Sequence, residues 1–494
     1  MAASGGFASG VRSLDTEKLQ TGATLIFPLY HESGQLLLAP GRVLSEVHLK
    51  VLREAAISTV YECESDEDVV RLKKIAGRSA IPIDSLAPGE VLSHPIHDED
   101  GRILLKEGHA LTPESIERLH RRCHDSVYKE PAGVERQREQ VEKFKNDLAS
   151  LLASDLDERV ATEEYLQVRP DGEAFACLAE RQRTDYSPQE QEAVLAARDE
   201  AVSNARHVLE TLTRGVAVSQ GPMRGAIDTL AKNLHDAPNL LLGLAYAFEK
   251  DDFLAEHAVS TASVSMAMGA VLGYGERQVK ELGLAAFLSN IGMARVPPEI
   301  LNKPGPLTPE EFAQVRRHPI HALDMLQQCS AVPEVVSLAI YQSHERDDGS
   351  GYPKKRHGAH IHDYARLLAV ADMYVAMSSP RSHRPALLPY ESMETLIHQA
   401  SVKTIRPEVI RILLKAVALY PIGSWVQMST GEIARVIASG GETFDRPIVR
   451  VLYDSVGNPL ATDRVVDLRT ESRLKVVRAV TPGTASPQNL EGFG

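Results

Sequence analysis

No two cysteines stand at metal-ligand spacing: Cys63, Cys123, Cys177 and Cys329 are scattered through 494 residues. That excludes a disulfide scaffold and a cysteine-rich zinc module, and it fits a reducing cytosol. No apolar run approaches the roughly 18 residues of a transmembrane helix. The longest candidate, around Leu240 to Phe248, reads as a buried helix. The opening MAASGGFASGVRS has no apolar h-region, so no secretory signal is expected and the cytoplasm is the expected location. Positive charge is in deficit, with 54 basic against 67 acidic residues and a net charge of −13. This balance argues against nucleic acid or an anionic membrane as the main partner. What remains is an ordinary globular composition, 43% hydrophobic and 24% charged. At roughly 100–200 residues per domain, two to four domains are expected.

An internal repeat opens the chain. LDTEKLQTGATLIFPLYHESGQLLLAPGRVLS returns 67 residues later as IDSLAPGEVLSHPIHDEDGRILLKEGHALT. Leu19, Gly22, Leu25, Pro28, Gly34, Leu37, Leu38, Gly41 and Leu44 match Leu86, Gly89, Leu92, Pro95, Gly101, Leu104, Leu105, Gly108 and Leu111. Turn glycines and flanking apolar residues are what a fold conserves between copies of itself. Each copy reads as strand, turn, strand, then a helix from Ser45 or Thr112, and each closes on a short strand, STVYEC or DSVYKE. Two copies are too few for a solenoid, so the expectation is a tandem β-rich module over 14–64 and 80–131, serving docking or spacing, behind a flexible stretch 1–13.

From 134 to 235 the chain turns charged and helical. Val141, Phe144, Leu148 and Leu151 fall on one helical face. A further helix opens at Ser187-Pro188-Gln189-Glu190, with a serine cap, a proline in the first turn and a capping-box glutamate. The stretch 153–186 between them has no clear pattern. Residues 236–418 carry the strongest apolar helical periodicity. After Tyr420-Pro421-Ile422-Gly423, SWVQMSTGEIARVIA and RPIVRVLYD alternate as strands, with STG and VGN turns, giving a small β-module over 419–478 and a disordered tail over 479–494.

All candidate chemistry lies in the helical part. His257 sits in FLAEHAVSTASVSMAM, and His318 follows two arginines in a helix opened by the capping box Thr308-Pro309-Glu310-Glu311. His344 and Glu345 precede the glycine-rich DDGSGYP, and Asp372 lies within ARLLAVADMYVAM. An aspartate in so apolar a run needs a metal, a basic group or N–H donors to offset its burial. Histidines and a carboxylate converging from several helices are the chemistry of a divalent-metal site.

These residues carry a resemblance. ARVPPEILNKPGPLTPEEFAQVRRHP, SHERDDGSGYP and ARLLAVADMYVAMSSPRSHR together resemble the HD-GYP family of the HD phosphohydrolase superfamily, over about 240 to 420. The resemblance implies a helical domain holding two or three divalent metals, often iron or manganese, that hydrolyses the bacterial second messenger cyclic di-GMP. It also implies which positions matter. The first helix histidine is His257, with Phe253 where many members have an acidic residue. LHDIGK reads LSNIGM here, placing Ser289, Asn290 and Met293 at the name-giving histidine, aspartate and following lysine. His318 is kept, the paired histidines become Ser343 and His344, and Asp372 is kept. The loop Gly349-Ser350-Gly351-Tyr352-Pro353 is intact, as are Arg381 and Arg384.

The expectation is therefore a multi-domain α+β chain, with a central all-α HD-GYP domain flanked by the tandem N-terminal module and the C-terminal β-module. Ser289, Asn290, Met293 and Ser343 leave its catalytic centre degenerate. His257, His318, His344 and Asp372 are expected to hold one divalent metal, manganese or iron, and not a full two-metal centre. Gly349, Gly351, Tyr352, Pro353, Arg381 and Arg384 form a candidate nucleotide rim, with the arginines on phosphates and Tyr352 on guanine. Equally, the glycines could only shape a turn and Tyr352 only pack. Three functions stay open: a non-catalytic regulator acting through protein partners, a cyclic di-GMP sensor, and a phosphodiesterase with an altered site. A homodimer is compatible with each.

Overall fold

The computed structural model describes residues 11–75, 79–92, 96–97, 103–106, 108–122, 126–129, 134–159, 167–172, 186–244, 253–329, 332–380, 386–441 and 443–480. It divides into two compact units. The first comprises Met1–Leu152, Thr211–Val218 and Asp324–Ala331, and the second comprises Ala153–Glu210, Ser219–Leu323 and Val332–Gly494. The helical domain expected as one run over 236–418 is thus interrupted, because Asp324–Ala331 belongs with the first unit.

In the first unit the repeat is visible strand by strand. Copy one has β1 (Val11–Asp15), β2 (Leu29–Tyr30), β3 (Leu36–Leu38), α1 (Glu46–Glu54), β4 (Thr59–Cys63) and then α2 (Asp66–Ile75). Copy two has β5 (Ser79–Pro82), β6 (Ile96–His97), β7 (Ile103–Leu105), α3 (Pro113–Arg122) and β8 (Ser126–Lys129). Each copy forms a four-stranded sheet in the same order, β1-β4-β2-β3 and β5-β8-β6-β7. The matched glycines explain why. Gly22 and Gly89 both take positive φ, +86° and +90°, and donate their N–H to Leu44 O and Leu111 O. The chain was expected to be flexible to residue 13, but Val11 already pairs with Cys63, so the strand begins there. Helix α4 (Val134–Arg159) lays Val141, Phe144 and Leu148 into the core of copy one, as its apolar stripe requires. Leu151 packs on the same cluster.

The second unit holds α5 (Pro188–Thr213), α6 (Gln220–Asp236), α7 (Pro238–Gly243), α8 (Phe253–Val271) and α9 (Glu276–Leu288). It continues with α10 (Pro298–Leu301), α11 (Pro309–Val315), α12 (His318–Leu326, whose last three residues fall in the first unit), α13 (Glu334–Gln342), α14 (Asp363–Ser378), α15 (Pro389–Ser401) and α16 (Pro407–Val417). The capping box of α5 is formed: Ser187 N–H reaches Glu190 Oε2 at 2.8 Å, and Glu190 N–H reaches Ser187 Oγ at 3.2 Å. Helix α8 is buried on all sides from Ala255 to Ala270 and packs against α9, α14 and α16. A helix apolar all round can only be a central one. Gly283 lets α9 close on it, since a Cβ there would overlap Met266 Sδ.

One expectation fails here. His318 does not continue the helix opened at Thr308; α11 ends at Val315, and His318 begins α12. Pro319 is the physical reason. It has no N–H to give the carbonyl four residues back, Val315 O, which would otherwise be stranded. His318 Nδ1 supplies the missing donor at 2.8 Å.

The C-terminal part is an antiparallel sheet of β9 (Trp425–Met428), β10 (Ile433–Ala438), β11 (Ile448–Tyr453), β12 (Pro459–Asp467) and β13 (Val476–Val480), in the order β12-β11-β10-β9-β13. Val426, Met428, Ala434, Val436, Val449 and Val451 alternate into its core. The sheet extends past the expected limit of 478, because Ala479 and Val480 pair with Val426 and Trp425. The rest of the tail lies outside the described residues, as do most of 153–186, Tyr246 to Phe248, Cys123 and Cys177. Cys63 and Cys329 are buried free thiols. Among the described residues, no helix is long and apolar enough to cross a membrane.

Candidate functional site

Four helices bring the candidate ligands to one place. His257 comes from the second turn of α8, Asp372 from the middle of α14, His318 from the start of α12, and His344 follows α13. They meet as two pairs. His257 Nε2 lies 2.8 Å from Asp372 Oδ1, and His318 Nε2 lies 3.0 Å from His344 Nε2.

Asp372 finds the partners its apolar surroundings demand. Its Oδ1 also accepts the Asn290 Nδ2 amide at 3.0 Å. Burial alone would raise this carboxyl. The hydrogen bond and charge of His257, with His344 and Asn290 adding to them, hold it far below the usual carboxylate range. Its Oδ2 accepts nothing among the described residues, and the side chain keeps 15% exposure. His257 is braced by the Phe253 ring, stacked at 5.4 Å. Its Nδ1 is buried with no hydrogen-bond partner.

The tautomer of the other pair follows from the break at Pro319. His318 Nδ1 donates to Val315 O, so His318 Nε2 carries a lone pair and accepts from His344. Burial pushes both imidazoles down, His344 further because a second imidazolium beside His318 would be repelled. Gly292 makes room for this arrangement, since a Cβ there would run into the His318 carbonyl and Ala322 N.

Of the positions expected to be degenerate, Asn290 reaches the centre through Asp372, whereas the two serines turn away. Ser289 Oγ donates to Ala286 O at 2.8 Å and Ser343 Oγ to Ile340 O at 2.9 Å, so each folds back on its own helix. Met293 sits half-buried in the turn Ile291–Arg295. Among the described residues, no three of His, Cys, Asp and Glu are gathered as a metal-binding group. The side chains present do not fit a two-metal centre: an amide that donates a hydrogen bond stands where a bridging carboxylate would be needed. A single cation would require the His318–His344 hydrogen bond to open, since His344 Nε2–H occupies the His318 lone pair, while Asp372 keeps a free oxygen.

The glycine loop is built on a buried carboxylate. Glu345 accepts Lys354 N–H at 2.7 Å and Arg356 N–H at 2.8 Å, while Tyr352 N–H reaches His344 O at 3.1 Å. Gly351 is obligatory, because a Cβ would stand 2.5 Å from both Arg346 N and His344 O. Gly351→Ala should therefore displace the loop and cost about 3 kcal/mol. Urea unfolding followed by circular dichroism measures this, and an unchanged midpoint would contradict it.

Tyr352 is packed within the protein. Its ring stacks on His344 at 4.8 Å and 4°, and the Arg316 guanidinium lies over it at 4.9 Å. Pro353 is half-buried beside it, and Gly349 takes φ +78° above the turn in which Asp348 accepts Ser350 N–H. Arg381 and Arg384 lie outside the described residues.

Sequence reasoning missed Arg346 and Arg316. Arg346 Nη2 reaches Met373 Sδ at 3.2 Å, one residue from Asp372. The signal for Arg316 was in plain view in RRHP, whose first arginine covers the tyrosine. Arg317 is exposed, and neither it nor Arg316 pairs with a carboxylate among the described residues.

Comparison with known proteins follows the same division. Residues 245–409 match an HD domain, and residues 425–487 match a KOW domain associated with HD domains. A cyclic di-GMP phosphodiesterase of Pseudomonas aeruginosa is 32% identical over 255 residues, 51% of this chain and 61% of that protein. A 3'3'-cGAMP-specific phosphodiesterase of Vibrio cholerae is 30% identical over 34% of this chain and 38% of its own length. A cyclic di-GMP phosphodiesterase of Thermotoga maritima is 36% identical over 29% and 39%. The chain thus spans less than two thirds of each of these relatives. The chain carries an HD domain over 245–409, followed over 425–487 by a KOW domain of the type associated with it.

Proposed function

We propose that this protein works in cyclic di-GMP-type signalling as a non-catalytic regulator, with its HD domain retained as a scaffold. One observation carries the reading: Asn290 donates its amide to Asp372, so hydrogen bonds stabilise the carboxylate where a pair of cations would otherwise be required. The two serines that fold back on their helices support it. Phosphodiester hydrolysis in HD domains depends on divalent metal, which supplies an activated water and a Lewis acid when bound. Here His257, His318, His344 and Asp372 would hold at most one such ion, manganese or iron, and only once the His318–His344 hydrogen bond opens. The chain's own residues hold the centre rigid: Phe253 braces His257, Val315 fixes the His318 tautomer, and Glu345 anchors the loop beside His344. Protein partners reached through the tandem and C-terminal modules, in the cytoplasm, belong to this reading.

A second reading, a non-hydrolysing cyclic di-GMP sensor, is favoured by Arg316, which lies over Tyr352, and by the neighbouring exposed Arg317, neither of which pairs with a carboxylate among the described residues of this acidic chain. Two unpaired guanidinium groups suit the phosphates of a dianionic ligand.

The test is calorimetric titration of cyclic di-GMP with manganese present, together with chromatography for the linear product. No product is expected over hours. A saturable heat without product selects the sensor, with Arg316→Ala weakening it by about tenfold. Steady product release would overturn both readings.

A further inference from the structure

A cavity of about 470 Å³ lies within the second unit, away from the HD centre. Its walls come from α5 (Leu195), α7 (Leu240), the start of α15 (Leu388 and Tyr390) and the sheet (Trp425 and Arg435). That volume is in the range of small-molecule sites, which are apolar with few convergent polar groups. The aromatic part is ordered: Tyr390 stacks on Tyr420 with centroids 5.3 Å apart and 5° between planes. Burial, with Tyr390 and Asp445 adding to it, pushes the Tyr420 phenol up to about 12, so its hydroxyl stays a donor at neutral pH. Leu195 is 46% exposed and Leu240, Leu388 and Tyr390 are half-buried, so this apolar wall stays open to solvent.

The charge in the cavity is unusual. Arg435 stands opposite Trp425 on one side and opposite Arg450 on the other, so two like charges face each other across strands, which is unfavourable. Arg450 relieves its share against Asp463 at 3.3 Å. Arg435 pairs with no carboxylate among the described residues. Its guanidinium instead lies over the bare backbone of Gly423, where a Cβ would be 3.7 Å from Nη2. The cavity therefore offers an unpaired cation at the edge of an aromatic and aliphatic wall.

We infer that this cavity binds a small amphiphilic anion, with a carboxylate or similar head on Arg435 and a flat apolar body against Trp425, Tyr390 and Leu240. The site is separate from the HD centre and independent of whether that centre binds or hydrolyses a nucleotide. A ligand here bridges α7, α15 and the sheet, so its binding ties the helical domain to the C-terminal sheet.

Trp425 is the only tryptophan in the chain, so its fluorescence reports on this cavity alone. The test titrates 2-naphthoate into the full-length protein and, in parallel, the uncharged 2-naphthalenemethanol. Saturable quenching by naphthoate is expected, with the alcohol binding about tenfold more weakly. Arg435→Gln, an exposed strand position that should fold normally, should weaken naphthoate about tenfold and leave the alcohol unchanged. Quenching that does not saturate, equal affinity for acid and alcohol, or an unaffected Arg435→Gln variant would each overturn the assignment.

Discussion

Lowering the pH from 7 to 5 is expected to destabilise the protein steeply, because three buried histidines cap backbone N–H groups with an imidazole lone pair. His362 Nδ1 accepts Tyr364 N–H at 3.0 Å at the start of α14, the helix that carries Asp372. His48 Nδ1 accepts Ser45 N–H at 3.0 Å, and His31 Nδ1 accepts Ser33 N–H at 3.1 Å. A protonated imidazole has no lone pair to accept with, so each cap exists only in the neutral form. Burial pushes all three down, His362 to about 4. In the unfolded chain the same histidines take up a proton below about pH 6.5. Between that pH and the folded value the unfolded state binds more protons, so stability falls as the solution is acidified. The contribution is complete above 6.5 and, for His362, is lost progressively towards pH 4. For His362 alone the loss at pH 5 is about 2 kcal/mol. Urea midpoints at pH 7 and pH 5, with chelator present, give the total. His362→Asn keeps a capping oxygen without a titrating group, and it should remove about 2 kcal/mol of the pH dependence. If that variant loses stability on acidification exactly as the parent does, the cap does not titrate as argued.

The triple variant Ser289→His, Asn290→Asp, Ser343→His should raise the divalent-metal content from at most one ion per chain to two. Both serines sit at the ends of helices that already point at the centre, α9 and α13, and their hydroxyls are spent on Ala286 O and Ile340 O. An imidazole at either position is too long to fold back in that way. Asn290→Asp replaces a donor 3.0 Å from Asp372 by a second carboxylate. Two carboxylates that close repel each other and drive one pKa up unless a cation lies between them. The variant should therefore be less stable than the parent in chelator and regain stability with manganese, the signature of a ligand bound only by the folded state. Elemental analysis after gel filtration provides the count. An unchanged count would mean that the backbone around α9 and α13 has drifted from metal-binding geometry, and that the lost ligands are not the whole difference.

Much of the architecture was legible because it rests on local chemistry. The repeat showed itself through turn glycines, and Gly22 and Gly89 both take the positive φ such turns need. Val141, Phe144 and Leu148 announced a buried helical face, and Ser187 with Glu190 announced a helix start. The C-terminal strands followed from alternation. Periodicity, caps and turns depend on residues within a few positions of each other, so one dimension is enough to read them. The need of Asp372 for a partner was equally local, since an apolar run makes any carboxylate within it conspicuous.

The tertiary structure alone decided how those needs are met. Asp372 could have been satisfied by a metal, a cation or N–H donors, and only the packing of α8 and α9 against α14 chose His257 and Asn290. The break before His318 turned on one missing proline N–H, and the imidazole that fills it fixes which nitrogen faces His344. Tyr352, readable as a base-stacking residue, is instead packed against His344 and Arg316. The separation of Asp324–Ala331 from the helices around it, and the cavity in which Arg435 meets Trp425 and Tyr390, have no local signature at all. Which helix end meets which strand is set by long-range burial and hydrogen bonding between residues far apart in the chain, and no sequence window contains both partners.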